Sequence, residues 1–251
     1  MTLDIITAPS LSPVRHGFFG RAGGASSGVF EGLNCGYGSS DQHEIVAINR
    51  SRAAAAMDRP ASALTGVHQV HSADIVTVER PGQPMGKADG MVTSMRGIVL
   101  SVLAADCQPV LFADHEAGVI GATHAGWRGA LSGALEATLD AMETIGAERG
   151  RIAAVIGPAI SQRAYEVGPD FLETFLVEDE SYGRFFAEGK GDRLHFDLPG
   201  FGMHKLREAG IGDADWTRHC TYSDPARFFS YRRSVHNKEA DYGRLISTIC
   251  L

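Results

Sequence analysis

Residues 97–128 contain two apolar segments that each end on a chemically reactive side chain. The sequence of this run is GIVLSVLAADCQPVLFADHEAGVIGATHAGWR. Residues 98–105 carry no charge, and their length and composition are typical of a strand buried on both faces. Cys107 follows this first segment, and His124 follows the second, residues 118–123. We therefore expect a thiol and an imidazole at neighbouring strand ends, where they can meet in space.

The residues between and after these segments indicate where the strands stop. Residues 106–109 interrupt the first strand, because Pro109 cannot donate to a sheet ladder, and residues 110–113 resume as a strand. The residues after His124 predict one helix that runs to about residue 145. Taken singly, Cys107 is more typical of a buried small apolar residue and His124 of a hydrogen-bonded turn residue than of a reactive group.

The composition is that of an ordinary globular protein and excludes several classes of partner. The 251 residues carry a formal net charge of −7, which gives no general attraction to nucleic acid or anionic lipid. The first residues show no secretion signal, and no apolar run reaches the roughly 18 residues that a membrane span needs. The four cysteines are far apart in the sequence and form no CxxC pair. We expect a cytoplasmic protein with free thiols, no nucleic-acid partner and no membrane partner.

The rest of the chain reads as alternating short strands and helices without internal repeats. We predict an α/β fold and one domain over residues 1–251. Asp41 is the expected N-cap of a helix over residues 43–57, which carries Arg50. The remaining elements that the pattern predicts include strands at residues 16–19, 216–220 and 243–251, and helices at residues 169–176 and 197–209.

The candidate reactive residues make up a plausible metal site. His68 and His71 are three apart, so from a regular strand they would point to opposite faces, and one of them is the better ligand. That imidazole with Cys107 and His124 would offer two nitrogens and one sulfur, which suits zinc or copper. Three protein ligands would leave one position for water, as in catalytic zinc sites.

Two further interpretations concern His124 and the residues that follow it. The N–H groups at residues 126–130, together with Arg128, would form an anion site at the start of the predicted helix. Without metal, Cys107 could act as a thiolate nucleophile with His124 as its base. In that case Asp106 or a backbone carbonyl would orient the imidazole.

Several blocks of the sequence together resemble one family. They stand in the order and approximate spacing of the YfiH family, also called laccase-domain, polyphenol-oxidase-like or peptidoglycan editing factor proteins. The resemblance runs from about residue 16 to residue 244. It is carried by HGFFGRAGG, GLNCGYGSSD, NRSR, HQVHSADI, ADGMVTS, SVLAADCQPVLFAD, GVIGATHAGWRGAL, VIGPAIS and RFFSYRR.

This resemblance implies a single layered α/β domain, similar to the catalytic domain of cytotoxic necrotizing factor, with zinc bound in a cleft. The positions that match the family's motifs make His71, Cys107 and His124 the expected ligands. Asn34 and Arg50 match positions near the site and are expected substrate contacts.

The resemblance also implies a choice of activities. Members are associated with phosphorolysis of purine nucleosides (adenosine, inosine, guanosine and methylthioadenosine), with adenosine deamination, and with hydrolytic editing of mis-charged peptidoglycan precursors. The laccase label implies copper, but this sequence has no His-x-His pair, which a multicopper oxidase needs. A non-catalytic metal-binding protein is the third alternative, and the sequence leaves open a monomer or a homo-oligomer.

Two positions and one segment depart from the expected motifs. Ser72 stands where glycine is expected, and Gly20 where threonine is expected. The segment SVHNKEADYGR, residues 234–244, differs from the short tail expected before its final glycine and arginine. The first two departures are expected to alter the rim of the cleft, and with it the choice of substrate.

Overall fold

The computed structural model describes residues 2–83 and 85–251. Its helices are α1 (His43–Ala56), α2 (Trp127–Leu131), α3 (Ala134–Thr144), α4 (Pro169–Glu178), α5 (Leu198–Glu208) and α6 (Tyr231–Asn237). Its strands are β1 (Ile5–Ile6), β2 (Arg15–Phe19), β3 (Leu64–Thr65), β4 (Ile75–Thr77), β5 (Gly90–Thr93), β6 (Val99–Ala104), β7 (Gln108–Asp114), β8 (Val119–Ala125), β9 (Ala153–Ile156), β10 (Glu166–Val167), β11 (Phe186–Glu188), β12 (Leu194–Phe196), β13 (Asp213–Trp216) and β14 (Leu245–Cys250). The α/β prediction is confirmed.

The strands form two large mixed sheets and one small sheet. The five-stranded sheet has the order β1-β2-β14-β6-β3, and the six-stranded sheet has the order β13-β9-β7-β8-β5-β4. Most neighbours are antiparallel, while β3 with β6, β4 with β5 and β13 with β9 are parallel. A three-stranded antiparallel sheet, β10-β12-β11, stands apart from both.

The two large sheets pack face to face, and helices cover their outer faces. The core between the sheets includes Phe18 and Leu100 from one sheet and Leu111 and Ile120 from the other. Apolar residues of α1 pack on the outer face of the five-stranded sheet. The six-stranded sheet is covered by α3 and α5 and by aromatic residues of α4 and the small sheet. The molecule is therefore layered, with two sheets between helices.

The central run folds as three buried strands, with Cys107 in the turn between β6 and β7. Every residue of β7 and β8 is buried, as is all of β6 except one partly buried position. The strand β7 begins at Gln108, so Pro109 lies inside it, opposite His124 on β8. The prediction that the strand resumes only after Pro109 is therefore wrong by two residues.

Three other predicted elements differ from the structure. The helix expected to run to residue 145 is split into α2 and α3, because Gly133 adopts a left-handed backbone with φ of 88°. The strand expected at residues 216–220 instead lies earlier, as β13. Asp41 does not cap α1, whose N-cap is Gln42, but accepts a hydrogen bond from Asn34. Within the described residues, we find no helix with both the length and the apolarity to cross a membrane.

Candidate functional site

Three separate elements bring the candidate ligands together. His71 lies in the loop before β4, Cys107 in the turn between β6 and β7, and His124 near the end of β8. Their potential ligand atoms all lie within 4.8 Å of one another. Sequence spacing left His68 and His71 as alternatives, and the structure brings His71 to this cluster. His68 instead pairs through its backbone with the segment around Lys87.

The backbone at His71 and Gly126 runs unusually close to the side chains of the cluster. His71 adopts a left-handed conformation, with φ of 63°, which non-glycine residues rarely do. Gly126 passes beside it at the end of β8. A Cβ atom at this position would lie 2.9 Å from the Cys107 sulfur and 2.9 Å from Cδ2 of His71. Only glycine lets the chain turn into α2 this close to the two side chains.

The buried carboxylate of Asp89 organises both histidines. Its Oδ1 atom lies 2.9 Å from Nδ1 of His124. Its Oδ2 atom accepts hydrogen bonds from the backbone N–H groups of Val70, at 3.0 Å, and Ser72, at 2.6 Å. These two residues flank His71, so one carboxylate orients the His124 ring and holds the strained loop that presents His71.

Asp106, the sequence's candidate for orienting the imidazole, has other partners. Its carboxylate accepts hydrogen bonds from the hydroxyls of Thr221, at 2.6 Å, and Ser230, at 2.9 Å, and from the Arg232 backbone N–H, at 2.7 Å. Asp106 has a φ of 91°, and its side chain anchors the segment before α6. The orienting position that sequence analysis gave to Asp106 therefore belongs to Asp89.

The electrostatics of the cluster favour a thiolate beside an imidazolium. Burial opposes ionisation of Cys107, but the nearby His124 and His71 rings outweigh it and lower the pKa of the thiol to about 6. Burial likewise opposes a charge on His124, but the thiolate of Cys107 and the Asp89 carboxylate raise the pKa of that imidazole to about 9. A thiolate is the form of cysteine that binds metals and attacks electrophiles.

The donor set fits a metal ion. Asp89 occupies Nδ1 of His124, which leaves Nε2 of that ring as its free donor atom. Two imidazole nitrogens and one thiolate suit zinc or copper better than magnesium or calcium. In the described part of the chain, this is the one group of three or more ligand-type side chains that converges in this way.

A cavity of about 440 Å³ extends from the cluster and is basic in character. Its lining includes His71, Cys107 and His124, together with Arg50 and Arg244. Among the described residues that line it there is no aspartate or glutamate, although the chain as a whole has a net charge of −7. The cavity therefore favours an anionic ligand.

Both arginines are held in place from behind. Arg50 donates to the Cys35 carbonyl at 3.2 Å, and Arg244 donates to the Tyr242 carbonyl at 2.9 Å. Arg244 also forms an ion pair with Asp241 through the same nitrogen, at 3.4 Å. These contacts leave other N–H donors of each guanidinium group for a ligand.

The other sequence-predicted contacts lie outside this lining. Asn34 is fully buried behind it, where its side-chain oxygen accepts from the N–H groups of Gly36 and Arg244. Arg128 is exposed on α2, and its guanidinium lies 4.9 Å from the centre of the Trp127 ring. The N–H groups at the start of α2 are likewise absent from the described lining, so the predicted anion site there does not belong to this cavity.

Sequence reasoning missed Asp89, Arg244, Tyr37 and Tyr242, which orient or line the site. Asp89 and Arg244 lie in the motifs ADG and YGR, where an acid or a base beside glycine at a strand start was a usable signal. Tyr37 lies in the block GLNCGYGSSD and Tyr242 in the segment SVHNKEADYGR, but sequence analysis singled out neither ring.

Comparisons with known proteins agree with this architecture. The chain is 41% identical over 233 residues to a protein named purine nucleoside phosphorylase from Deinococcus radiodurans, a match that covers 93% of this chain and 88% of that protein. It is 34% identical to a protein of the same name from Pseudomonas aeruginosa, with 97% and 96% covered.

Solved structures give the same grouping. A Neisseria meningitidis protein described as DUF152 superposes with a TM-score of 0.89 at 31% identity, and the match covers 100% of this chain and 99% of that one. A Bacillus licheniformis hypothetical protein, YfiH, superposes with a TM-score of 0.85 at 28% identity, over 95% and 92%. The family model described as multi-copper polyphenol oxidoreductase laccase matches residues 15–251. YfiH is one of the structural neighbours of this chain. The chain therefore belongs to this laccase-like family, as its own sequence motifs predict.

Proposed function

We propose that this protein is a zinc-dependent purine nucleoside phosphorylase that acts in the cytoplasm. The observation that carries the proposal is the cavity itself, which combines a His-Cys-His cluster with two arginines and has no carboxylate in its described lining. The names of the relatives support the same activity. Four free cysteines fit a reducing compartment.

The reaction transfers a ribosyl group from a base to phosphate. A phosphate oxygen attacks C1′ of the nucleoside, the bond from C1′ to N9 breaks, and its electron pair leaves with the base. The proton lost by the hydrogen phosphate passes through solvent to the departing base. The products are the free purine and ribose 1-phosphate, or 5-methylthioribose 1-phosphate when the substrate is methylthioadenosine. Adenosine, inosine, guanosine and methylthioadenosine are the proposed substrates.

In this proposal the arginines bind and aim the phosphate. Arg50 and Arg244 lower the cost of bringing a dianion into the cavity, and their fixed guanidinium groups orient the attacking oxygen. Asp89 keeps the His124 ring in one tautomer. His71, Cys107 and His124 would hold a zinc ion, which would supply Lewis-acid stabilisation of negative charge next to the sugar.

The same site supports adenosine deamination as a second activity. In that reaction water replaces the amino group at C6, and the products are inosine and ammonia. A site with three protein ligands leaves one position for water, which is the feature this chemistry needs. Formation of inosine by the zinc-loaded protein without phosphate would support this activity. Its absence under conditions where base release is rapid would exclude it.

Amide hydrolysis is an alternative that one specific contact favours. Asp89, His124 and Cys107 form a carboxylate–imidazole–thiol series, the arrangement of a cysteine nucleophile with its base and an orienting acid. Such an enzyme would cleave a muramoyl-amino-acid amide and would keep its activity after chelation of metal. Loss of all activity on chelation, with recovery on adding zinc, would rule out this metal-free route; absence of any turnover of the muramoyl amide would rule out amide hydrolysis as a whole.

Replacing each arginine tests the phosphate site. We expect Arg50→Gln and Arg244→Gln to raise the KM for phosphate at least tenfold, while the zinc content stays equal to that of the wild type. Arg128→Gln is the matched control, because Arg128 is exposed and lies outside the described lining. Its KM for phosphate should stay within twofold. An unchanged phosphate KM in both cavity variants would contradict the proposal.

A further inference from the structure

Two loops at the cavity are joined to one another by buried and short hydrogen bonds. The side-chain oxygen of Asn34 accepts from the backbone N–H of Gly36, at 3.1 Å, and from that of Arg244, at 3.0 Å. Asp241 accepts from the backbone N–H of Ser40 at 2.7 Å and from its hydroxyl at 3.0 Å. The loop at residues 34–40 and the segment at residues 241–244 therefore behave as one fixed unit.

The packing between these loops is tight at Gly36. A Cβ atom there would lie 2.3 Å from Cδ of Arg244, so the position requires a residue without a side chain. This contact brings the two loops together at the cavity, whose lining includes residues from both.

Each loop contributes one tyrosine that stacks with one of the cavity's arginines. The Arg50 guanidinium carbon lies 5.2 Å from the centre of the Tyr37 ring, and that of Arg244 lies 4.2 Å from the centre of the Tyr242 ring. Tyr37 is 44% exposed, which is high for a large aromatic side chain in a pocket. Apart from histidines, these are the aromatic residues in the described lining.

The two tyrosines supply what the rest of the cavity lacks for a nucleoside. The histidines, Cys107 and the arginines are polar or charged and suit a metal, a sugar and a phosphate. A purine base instead presents a flat apolar face, and such faces bind to aromatic rings without regard to the groups on the base edge.

We propose that Tyr37 and Tyr242 form the base-binding part of the site. The ligand class is a purine base attached to ribose. The inference rests on the proposed function, since it assigns a location to the base of that substrate. The hydrogen bonds that Asn34 and Asp241 accept hold the two loops, and with them the two rings, in place before the ligand enters, which lowers the entropy cost of binding.

Direct binding of adenosine to the zinc-loaded protein, measured by calorimetry without phosphate, tests the inference. We expect Tyr37→Ala and Tyr242→Ala to weaken adenosine binding about ten- to hundredfold, the range found for loss of one stacking partner. Tyr37→Phe and Tyr242→Phe should bind within threefold of the wild type. The KM for phosphate should change less than threefold in the Phe variants, which keep the ring beside each arginine.

A control variant and a check that each variant folds make the result specific. Tyr222→Ala removes a tyrosine that pairs with His236 and lies outside the described lining, and it should bind adenosine normally. Zinc content and Tm identify any variant that fails to fold. If such a failure affects an Ala variant, Tyr37→Leu and Tyr242→Leu replace it, since they keep bulk but remove the aromatic face.

The outcomes separate this inference from the proposed function. Normal adenosine binding in both Ala variants, with base release by the wild type, would overturn the inference and leave the phosphorylase proposal standing. Adenosine binding that depends on both tyrosines, in a protein that releases no base, would support the inference and overturn the proposed function. If the wild type fails to bind adenosine at millimolar concentration, the base-binding assignment is wrong.

Discussion

Asp89 connects the two histidines of the candidate metal site through one buried carboxylate. One oxygen contacts the His124 ring, and the other accepts from the N–H groups on both sides of His71. The left-handed backbone of His71 is costly for a non-glycine residue, so it persists only where neighbouring contacts hold it. We infer that the affinity for metal depends on Asp89 as well as on the ligands.

Asp89→Asn tests this role. An amide keeps one acceptor oxygen but places an NH₂ group against donors on its other side, so one of the two histidines loses its support. We expect the zinc affinity to fall about 10–100-fold, the usual effect of losing such a partner. The measurement is competition with a zinc-binding dye. Asp74→Asn, at an exposed carboxylate close by, is the control and should bind zinc normally. An unchanged affinity in Asp89→Asn would show that the carboxylate does not position the ligands.

The residues that the sequence could and could not predict differ in a physical way. Cys107 and His124 were predictable from the residues, because their types carry the chemistry and they stand at strand ends; the choice of His71 over His68 came only from the family resemblance. The ADG motif marked the position of Asp89, but its contacts were not predictable, because its partners lie 17 to 35 residues away in the sequence and meet it only after the sheet forms. Asp106 was the misleading neighbour, since the turn at φ of 91° sends its side chain to Thr221 and Ser230.

At the scale of elements, the buried strands of the site were the most predictable part. The uncharged run at residues 98–105 contains β6. The helix predicted at residues 197–209 contains α5, whose N-cap is Asp197. The helix after His124 was predicted as continuous, because the apolar pattern continues through Gly133. The left-handed backbone at that glycine breaks it, and periodicity alone does not report such a break.

The turn between β7 and β8 depends on one buried aspartate. Asp114 accepts from the N–H groups of Glu116 and Ala117 through Oδ1 and from the Glu148 N–H through Oδ2, where Arg151 also donates. Burial alone would raise the pKa of this carboxyl, but the N–H donors and Arg151 outweigh it and lower the pKa below its ordinary value. The ionised form therefore stabilises the folded state.

This shift predicts a pH-dependent effect of Asp114→Asn. At pH 7 we expect a loss on the order of 1–3 kcal/mol in the free energy of unfolding, because buried donors lose their acceptor. The stabilisation is complete above the unfolded carboxyl pKa of about 3.9 and disappears as the pH falls through the lower folded value. The difference between wild type and variant should thus shrink below about pH 4. Urea unfolding across this range measures it, with the exposed Asp192→Asn as control. A difference that stays constant down to pH 3 would contradict the assignment.

At the scale of the whole molecule, the site depends on two sheets that the sequence pattern did not reveal. β2 and β14 pair although they stand near opposite ends of the chain, and β14 pairs with β6 on its other side. Nothing in the periodicity of a strand specifies a partner so distant. The face-to-face packing fixes the turn that carries Cys107 relative to the strand that carries His124.

Gly157→Ala tests that packing. Gly157 follows β9 in the six-stranded sheet, and a Cβ atom there would lie 2.2 Å from a ring carbon of Phe18 on β2 of the other sheet. Phe18 is fully buried and cannot move aside freely. We expect a loss of about 1–3 kcal/mol from overpacking, seen as a lower Tm. Gly150→Ala, where the added atom would meet nothing within 4 Å, should leave the Tm unchanged. Equal Tm values for both variants would mean that the sheets are not packed this closely.

The most direct test of the account is to identify the products that the zinc-loaded wild type forms from adenosine, with and without phosphate, by ³¹P NMR and chromatography. We predict ribose 1-phosphate and free purine base, counted as adenine plus hypoxanthine, in equal amounts when phosphate is present, with neither product formed by Cys107→Ala. Failure to form ribose 1-phosphate under any of these conditions would contradict the central claim that the basic cavity beside His71, Cys107 and His124 is a phosphorolysis site.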